Sequence, residues 1–433
     1  MIAERQMKDS GIDWIGEIPK DWTFSKNKYV FKKKKNIVGE NFKKFTLLTM
    51  GKSGVRVRDL DGGGKFPESF ENYQEVSPGD LIFCLFDLDE TPRAIGLSKN
   101  NGMITSAYDV FNTTENNYPN FWSYFYHAID DFKGLRPYYT GLRKVVRPGT
   151  FQNIIIPVPP HEEQIRIADY LDQKTQQIDE LIEKTEKKIE LLKEQRTALI
   201  NHCVTKGLNP DAEMKDSGIE WIGEMPEGWD VKKLKFIGRT TNGLSRDSSF
   251  FGSGHPFISY RDVYYNDTLV IPDGLCLSSE KDWHIYSVLE GDVFFTRTSE
   301  SNDDIGISSV CFKTIDKCCF SGFLIRLRPH KNLILKEFSR YYFRSKTFTN
   351  MLSGKMNIVT RASLSQRILK NENILIPPLE EQKRIADYLD QKTQQIDTVV
   401  EKEVRRISLL KEYRQSLISS AVTGKINITE AMV

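Results

Sequence analysis

Ile167-Ala168-Asp169-Tyr170-Leu171-Asp172-Gln173-Lys174-Thr175-Gln176-Gln177-Ile178-Asp179 returns letter for letter as Ile385 to Asp397. An earlier block, Met7-Lys8-Asp9-Ser10-Gly11-Ile12-Asp13-Trp14-Ile15-Gly16-Glu17-Ile18-Pro19, returns as Met214 to Pro226 with only Asp13/Glu220 and Ile18/Met225 changed. Internal repetition fixes architecture before any local reading does. The unit is far longer than a solenoid repeat, so the chain reads as two copies of a domain followed by a helix. The first block recurs after 207 positions (214 against 7) and the second after 218 (385 against 167). Insertions therefore fall between the blocks, where the copies barely resemble each other. A constant frame around two divergent inserts reads as one scaffold presenting two different binding surfaces.

From about Glu162 to Thr205 the chain has no Gly or Pro, and a stripe recurs at alternating steps of four and three. It runs through Leu171, Thr175, Ile178, Ile182, Thr185, Ile189, Leu192, Arg196 and Leu199, the spacing of a coiled-coil seam. The second copy holds the register at Leu389, Thr393, Ile396, Val400, Glu403, Ile407, Leu410, Arg414 and Leu417. Pro159-Pro160 and Pro377-Pro378 precede the two helices, Glu162-Glu163 and Glu380-Glu381 suit their first turns, and Gly207 and Gly424 end them. Such a helix is about 65 Å long and cannot bury its stripe alone. Both helices lie in one chain in matching register, so an internal antiparallel pair is expected in preference to a parallel homodimer. Asp172, Gln173, Lys174, Gln176 and Gln177 are surface-type positions, yet identical in both copies. Docking of the same partner once per half is one explanation; recent duplication is the other.

A length of 433 residues with 39% hydrophobic and 28% charged residues describes an ordinary soluble protein of two or three domains. No apolar run approaches a membrane span, and Met1-Ile2-Ala3-Glu4-Arg5 lacks the apolar segment expected of a signal peptide. Six cysteines without C-x-x-C spacing read as reduced, buried thiols in a cytoplasmic protein. Net charge is only +2, but its distribution is uneven. Lys26 to Arg58 carries eleven basic residues against Glu40, and Lys133 to Arg147 carries five with no acid. Acidic residues concentrate in the two helical segments, so local positive fields are expected elsewhere.

Between the frames, short apolar runs punctuated by Gly, Asn, Asp and Pro read as strands: Phe45–Leu48, Asp80–Phe86, Phe257–Tyr260 and Asp292–Thr296. Tyr118–Asp131 and Leu335–Met351 read as helices rich in Tyr and Phe. The fold class is α+β. Candidates for phosphate and base-edge contact in the first segment are Lys52, Arg56, Arg58, Arg136, Tyr138, Tyr139, Arg143 and Lys144. In the second they are Arg246, Tyr260, Arg261, Tyr264, Arg297, Lys355, Asn357 and Arg361. Arginine reads guanine with two parallel hydrogen bonds, asparagine reads adenine, and lysine neutralises phosphate. Taken singly, each is more often plain surface charge.

Catalytic signatures fail on inspection. Gly51-Lys52-Ser53 lacks the leading glycine of a phosphate loop, having Thr46 there. Val158-Pro159-Pro160-His161 lacks the flanking Asn or Asp and the aromatic of an adenine methyltransferase. Pro272-Asp273 with Glu280-Lys281 has the wrong spacing for a metal-dependent nuclease, Gly252-Ser253-Gly254 has Phe257 where a third glycine belongs, and no histidine pair has metal-ligand spacing.

The ordered, duplicated elements resemble the specificity subunit of type I restriction–modification systems. They are the Asp-Ser-Gly-Ile-(Asp/Glu)-Trp-Ile-Gly-Glu-x-Pro-x-x-Trp opening ending at Trp22 and Trp229, the Gly-Asp-x-x-Phe strand, the Pro-Pro and Glu-Glu-Gln helix start, and the repeated helix block. The resemblance implies two target recognition domains, each reading one half of a bipartite, asymmetric double-stranded DNA site. Each is followed by a long helix, and the two helices pair as an antiparallel coiled coil that sets the spacer. Expected boundaries are 1–158 for the first recognition domain, 159–206 for the central helix, 207–376 for the second domain with its repeated opening, 377–424 for the distal helix and 425–433 for a tail. Two modification subunits would dock here and supply S-adenosylmethionine; restriction subunits, where present, would use ATP and Mg. This chain would bind no cofactor and perform no catalysis. The competing readings are an enzyme in its own right, which would need a cofactor fingerprint or paired acids, and a coiled-coil adaptor without DNA contact.

Overall fold

A computed structural model describes residues 5–51, 54–58, 69–91, 93–299, 305–353 and 362–432. It comprises two compact units, Met1–Glu186 with Arg405–Val433 and Lys187–Val404. Each unit therefore holds one variable domain and a section of both long helices.

The repeated opening folds the same way twice. Met7–Asp9 pairs antiparallel with Glu17–Pro19, and Met214–Asp216 with Glu224–Pro226. Asp9 accepts from the Gly11 N–H at 2.9 Å and Ser10 from the Ile12 N–H at 3.1 Å; Asp216 and Ser217 repeat both bonds at the same lengths. Short polar side chains that bond their own turn explain why these letters persist. Trp22 and Trp229 follow, 1% and 0% exposed. Their indole N–H groups donate to Glu163 at 3.0 Å and Glu381 at 2.9 Å, in the first turn of each long helix.

Thr23–Lys26 then pairs antiparallel with Ile155–Val158, and Asp230–Lys233 with Asn373–Ile376. The chain thus enters and leaves each variable domain on neighbouring strands. Inside, each unit builds a four-stranded antiparallel sheet of the same order. In the first it runs Phe31–Lys33, Asp109–Thr113, Leu81–Phe83, Ile95–Leu97. In the second it runs Gly238–Asn242, Leu324–Pro329, Val293–Thr296, Ser308–Val310. The Gly-Asp pairs lead into the equivalent strand of each sheet. Asp80 accepts from the Ser77 N–H at 2.7 Å and pairs with Lys34; Asp292 accepts from the Leu289 N–H at 2.8 Å and pairs with Arg328.

Two expected elements differ. The strand near Phe45 is Leu48–Gly51, hairpinned with Gly54–Val57, while Phe45 joins a small cluster around Val38, Leu47 and Met103. The single helix expected over Leu335–Met351 is two, Lys346–Ser353 following Lys336–Tyr342, because Ser345 turns back to accept from the Phe348 N–H at 3.2 Å. Pro119–Asp131 forms as expected, burying Phe121, Trp122, Phe125 and Tyr126.

The long helices span His161–Lys206, 46 residues, and Leu379–Val422, 44 residues. In the first unit Leu171 and Ile178 of one helix share a core with Leu417, Ile418, Ala421 and Val422 of the other. In the second unit Lys188 pairs with Glu403 at 2.6 Å and Arg196 with Asp397 at 2.9 Å. Numbers rise along one helix as they fall along the other, so the pairing is antiparallel.

Gly207 and Gly424 follow the helices at φ 76° and 72°, where a side chain is strained. A Cβ on Gly207 would meet the Glu381 carboxylate, which holds the Trp229 indole N–H, at 2.8 Å and the Trp229 ring at 3.3 Å; on Gly424 it would meet the Pro19 ring at 2.4 Å and Trp22 at 3.0 Å. Gly207→Ala is expected to cost about 1–2 kcal/mol from backbone strain. Gly424→Ala should cost more, because a proline ring and a buried indole cannot move aside. Denaturant midpoints of the two variants check the ranking; equal losses would contradict it.

Candidate nucleic-acid interface and helix seam

The DNA-contact candidates fall into separate groups. Arg56 is exposed on the Gly54–Val57 strand, opposite Thr49 of Leu48–Gly51, and Arg58 is partly buried beyond it. Arg136 and Tyr138 lie on an exposed turn, with Tyr139 half-buried behind them. Arg143 and Lys144 lie on a second exposed turn. In the second unit Arg246 is exposed and 5.3 Å from the Phe250 ring, while Tyr260 stacks on Tyr264 and Arg261 lies 5.7 Å from Tyr265. Arg297 is half-buried and donates to the Gly322 carbonyl at 3.4 Å. Lys52, Lys355, Asn357 and Arg361 lie outside the described residues.

The local charge picture needs correction. The acid-free run from Lys133 to Arg147 does not stay acid-free in three dimensions. Arg136 pairs with Asp89 at 3.3 Å, Arg143 with Asp87 at 2.5 Å and Lys133 with Asp130 at 2.9 Å. Lys33 and Lys34 likewise pair with Asp109 and Asp80. Apart from Asp130, which lies three residues before Lys133 on the aromatic helix, the carboxylates that neutralise these cations come from distant sequence. Among the described residues, Lys32, Lys35, Lys43, Lys44, Lys144 and Arg147 keep no carboxylate partner.

Along the helices, Leu171, Thr175, Ile178, Thr185 and Ile189 are buried, as are Leu389, Thr393, Glu403 and Leu417. Ile182, Leu192, Arg196, Leu199, Ile396, Val400, Ile407, Leu410 and Arg414 are half-buried. The two seam arginines meet equivalent carboxylates: Arg414 bonds Asp179 at 3.0 Å in the first unit, and Arg196 lies 2.9 Å from Asp397 in the second. Asp179 and Asp397 close the repeated block, so a single tertiary contact explains an identical letter in each copy.

Several other identical letters have a reason inside the chain. Gln164 accepts from the Tyr118 N–H at 2.8 Å and donates to Pro159 at 3.0 Å; Gln382 accepts from the Leu335 N–H at 2.8 Å and donates to Pro377 at 2.8 Å. Each glutamine thereby ties a long helix to the aromatic helix of its domain. Tyr124 donates to Asp172 at 2.7 Å, and Tyr341 to Asp390 at 2.6 Å. Burial, chiefly, pushes the Tyr341 phenol up to about 12 and the Tyr124 phenol upward as well. Both remain protonated donors at neutral pH. Asp172 therefore needs no outside partner to explain its identity, unlike the exposed Gln173, Gln176 and Gln177 and their counterparts Gln391, Gln394 and Gln395. The glutamine and tyrosine contacts carried no sequence signal beyond the repeat itself.

Beside these contacts each unit has a polar crevice. In the first, of about 1060 Å³, the walls include Arg93, Lys99, His127, Asp131, Asp179 and Arg414. In the second, of about 420 Å³, they include Arg196, Asn201, Tyr265, Arg340, Arg344 and Lys346. All six cysteines are buried and unpaired. No group of three or more His, Cys, Asp or Glu gathers at a metal-binding distance among the described residues. No helix among them is long and apolar enough to cross a membrane.

Two equivalent domains, each closed by a paired-strand neck and tied to one antiparallel helix pair, define a class of protein. The chain belongs to the family of type I restriction modification DNA specificity domains, whose model matches residues 104–191 and 226–406. It is 27% identical over 289 residues to the EcoKI specificity subunit of Escherichia coli strain K12, a match covering 65% of this chain and 60% of that relative's length. In fold it resembles a solved chain from a type I R-M system, with a TM-score of 0.71 at 19% identity, covering 94% of this chain and 99% of that one. The HsdS subunit from Thermoanaerobacter tengcongensis aligns with a TM-score of 0.58 at 19% identity, over 94% of this chain and 98% of that one.

His127 gives the first crevice a pH signature. Desolvation, with Arg93 adding repulsion, pulls its imidazole down to about 4 from an ordinary 6.5, against the opposing pull of Asp131. The unfolded chain therefore takes up a proton that the fold refuses. Stability from this group is full above about pH 6.5 and falls as the pH drops toward 4. His127→Gln should lose less stability than the wild type between pH 7 and pH 5 in parallel denaturant titrations. Identical losses would show that the imidazole does not contribute.

Proposed function

We propose that this chain is the noncatalytic DNA-recognition subunit of a type I restriction–modification complex. Each variable domain reads one half of a bipartite, asymmetric duplex site, and the antiparallel helices set the spacer between the halves. Two modification subunits dock on the exposed identical face of the repeated helix block, around Gln173, Gln176 and Gln391. They supply S-adenosylmethionine and methylate an adenine extruded from the duplex. Restriction subunits, where present, bring ATP and Mg for translocation and cleavage. Cytoplasmic location follows from a chromosomal DNA target.

The observation that carries this reading is the coexistence of sameness and difference. Two domains share one sheet order, one neck and identical frame letters, yet offer unlike exposed cations and aromatics. A protein binding one ligand twice would keep both surfaces alike; a protein reading an asymmetric sequence needs them different. The paired strands at the neck support modular readout, since the residues between them can be exchanged without altering the frame.

Methylation-sensitive sequencing of host DNA, with and without the chain, tests the reading directly. A single bipartite motif that loses methylation without the chain is expected, as is salt-dependent shifting of duplex DNA by the purified complex. Exchanging residues 27–154 for those of another family member should change one half-site only. Inserting seven residues, about 10 Å of helix, after both Lys187 and Arg405 should lengthen the spacer by about three base pairs and leave both half-sites intact. An unchanged spacer in that variant would rule out the helix pair as the ruler.

A further inference from the structure

Leu142 in the first unit is 100% exposed, against 75% for Ile271, the next most exposed large apolar residue among those described. A lone leucine on a surface is ordinary, so its setting decides what it means. Thr140 and Val145 face each other across an antiparallel bridge, with N–H to carbonyl bonds of 2.9 and 3.1 Å in the two directions. Between them the Lys144 N–H donates to the Gly141 carbonyl at 3.3 Å, closing a tight turn with Leu142 near its tip.

The turn is braced from behind. Arg143 makes two hydrogen bonds to Asp87, at 3.1 and 2.5 Å, and lies 5.4 Å from the Phe86 ring. Phe86 is itself stacked on Tyr108 at 6.1 Å. The Asp87 N–H donates to the Arg143 carbonyl at 2.8 Å and the Val146 N–H to the Leu85 carbonyl at 2.9 Å. The backbone around the leucine is fixed to the domain, while its side chain stands wholly in solvent. Its exposed neighbours Lys144 and Arg147 have no carboxylate partner among the described residues.

We propose that Leu142 is an apolar wedge that enters the base stack of duplex DNA at the half-site read by the first domain. This rests on the DNA-recognition function proposed above. Leucine has no donor or acceptor with which to read a base edge, but between two parted bases it can stand in for the stacking that held them together. A braced turn presents it with little ordering cost on binding. Lys144 and Arg147 meet the phosphates beside the opened step. Unstacking one step lowers the cost of extruding a neighbouring base.

The test uses the complex of full chain and modification subunits. The half-sites are first mapped by methylation sequencing; absence of any sequence-specific methylation would overturn the DNA-recognition reading and the wedge with it. Once a motif is mapped, 2-aminopurine is placed in turn at each position of the first half-site except the methylated adenine. The wild type should raise fluorescence at one step. Leu142→Ala should abolish that rise and weaken binding about tenfold. Leu142→Phe, still a wedge, should keep both. Lys144→Ala should reduce the salt slope by about one and leave the fluorescent step in place. Thermal unfolding of Leu142→Ala should match the wild type, since a side chain wholly in solvent packs against no part of the fold. A correctly folded Leu142→Ala with unchanged affinity and fluorescence overturns the wedge and leaves DNA recognition standing.

Discussion

A long amphipathic helix in water must cover its apolar stripe, and this chain covers two of them with each other and with its own domains. Leu171 and Leu389, the same letter in the two copies, are both fully buried in a domain core. Burying one such side chain stabilises by about 1.5–3 kcal/mol. The helices are therefore walls of the domains, and neither core is complete without them. The Arg414–Asp179 and Arg196–Asp397 pairs are partly exposed. Contacts of that kind contribute under about 1 kcal/mol each, so their value lies in fixing register.

The same constraint explains where divergence is allowed. Glu163, Gln164, Asp172 and Thr175 all touch the variable domain from the helix, through Trp22, Tyr118 and Tyr124. Their counterparts do so through Trp229, Leu335 and Tyr341. Changing any of them leaves a buried or half-buried polar group without its partner, which costs more than the bond contributed. Away from these contact residues the constraint does not apply. Loops there can change letter by letter so long as the sheet order and the aromatic packing survive.

Electrostatics was the least legible layer. Runs of lysine and arginine are visible in a sequence, but the carboxylates that answer them arrive from other strands. Asp87, Asp89 and Asp109 each neutralise a cation 47 to 76 positions away. What remains positive is a smaller set than composition implied. Local helix breaks are similarly opaque: nothing in the periodicity of Leu335–Met351 marks Ser345 as the residue that turns back to cap a new helix.

The duplication, the presence of two long helices and the family were legible in the letters alone, because repeats and heptad spacing are one-dimensional patterns. It took the folded chain to separate the identical letters that serve internal contacts from those that do not, to leave certain cations unpaired, and to set one leucine clear of everything around it. Those outcomes depend on neighbours brought together from far along the chain, through strand pairing and core packing that no local pattern encodes.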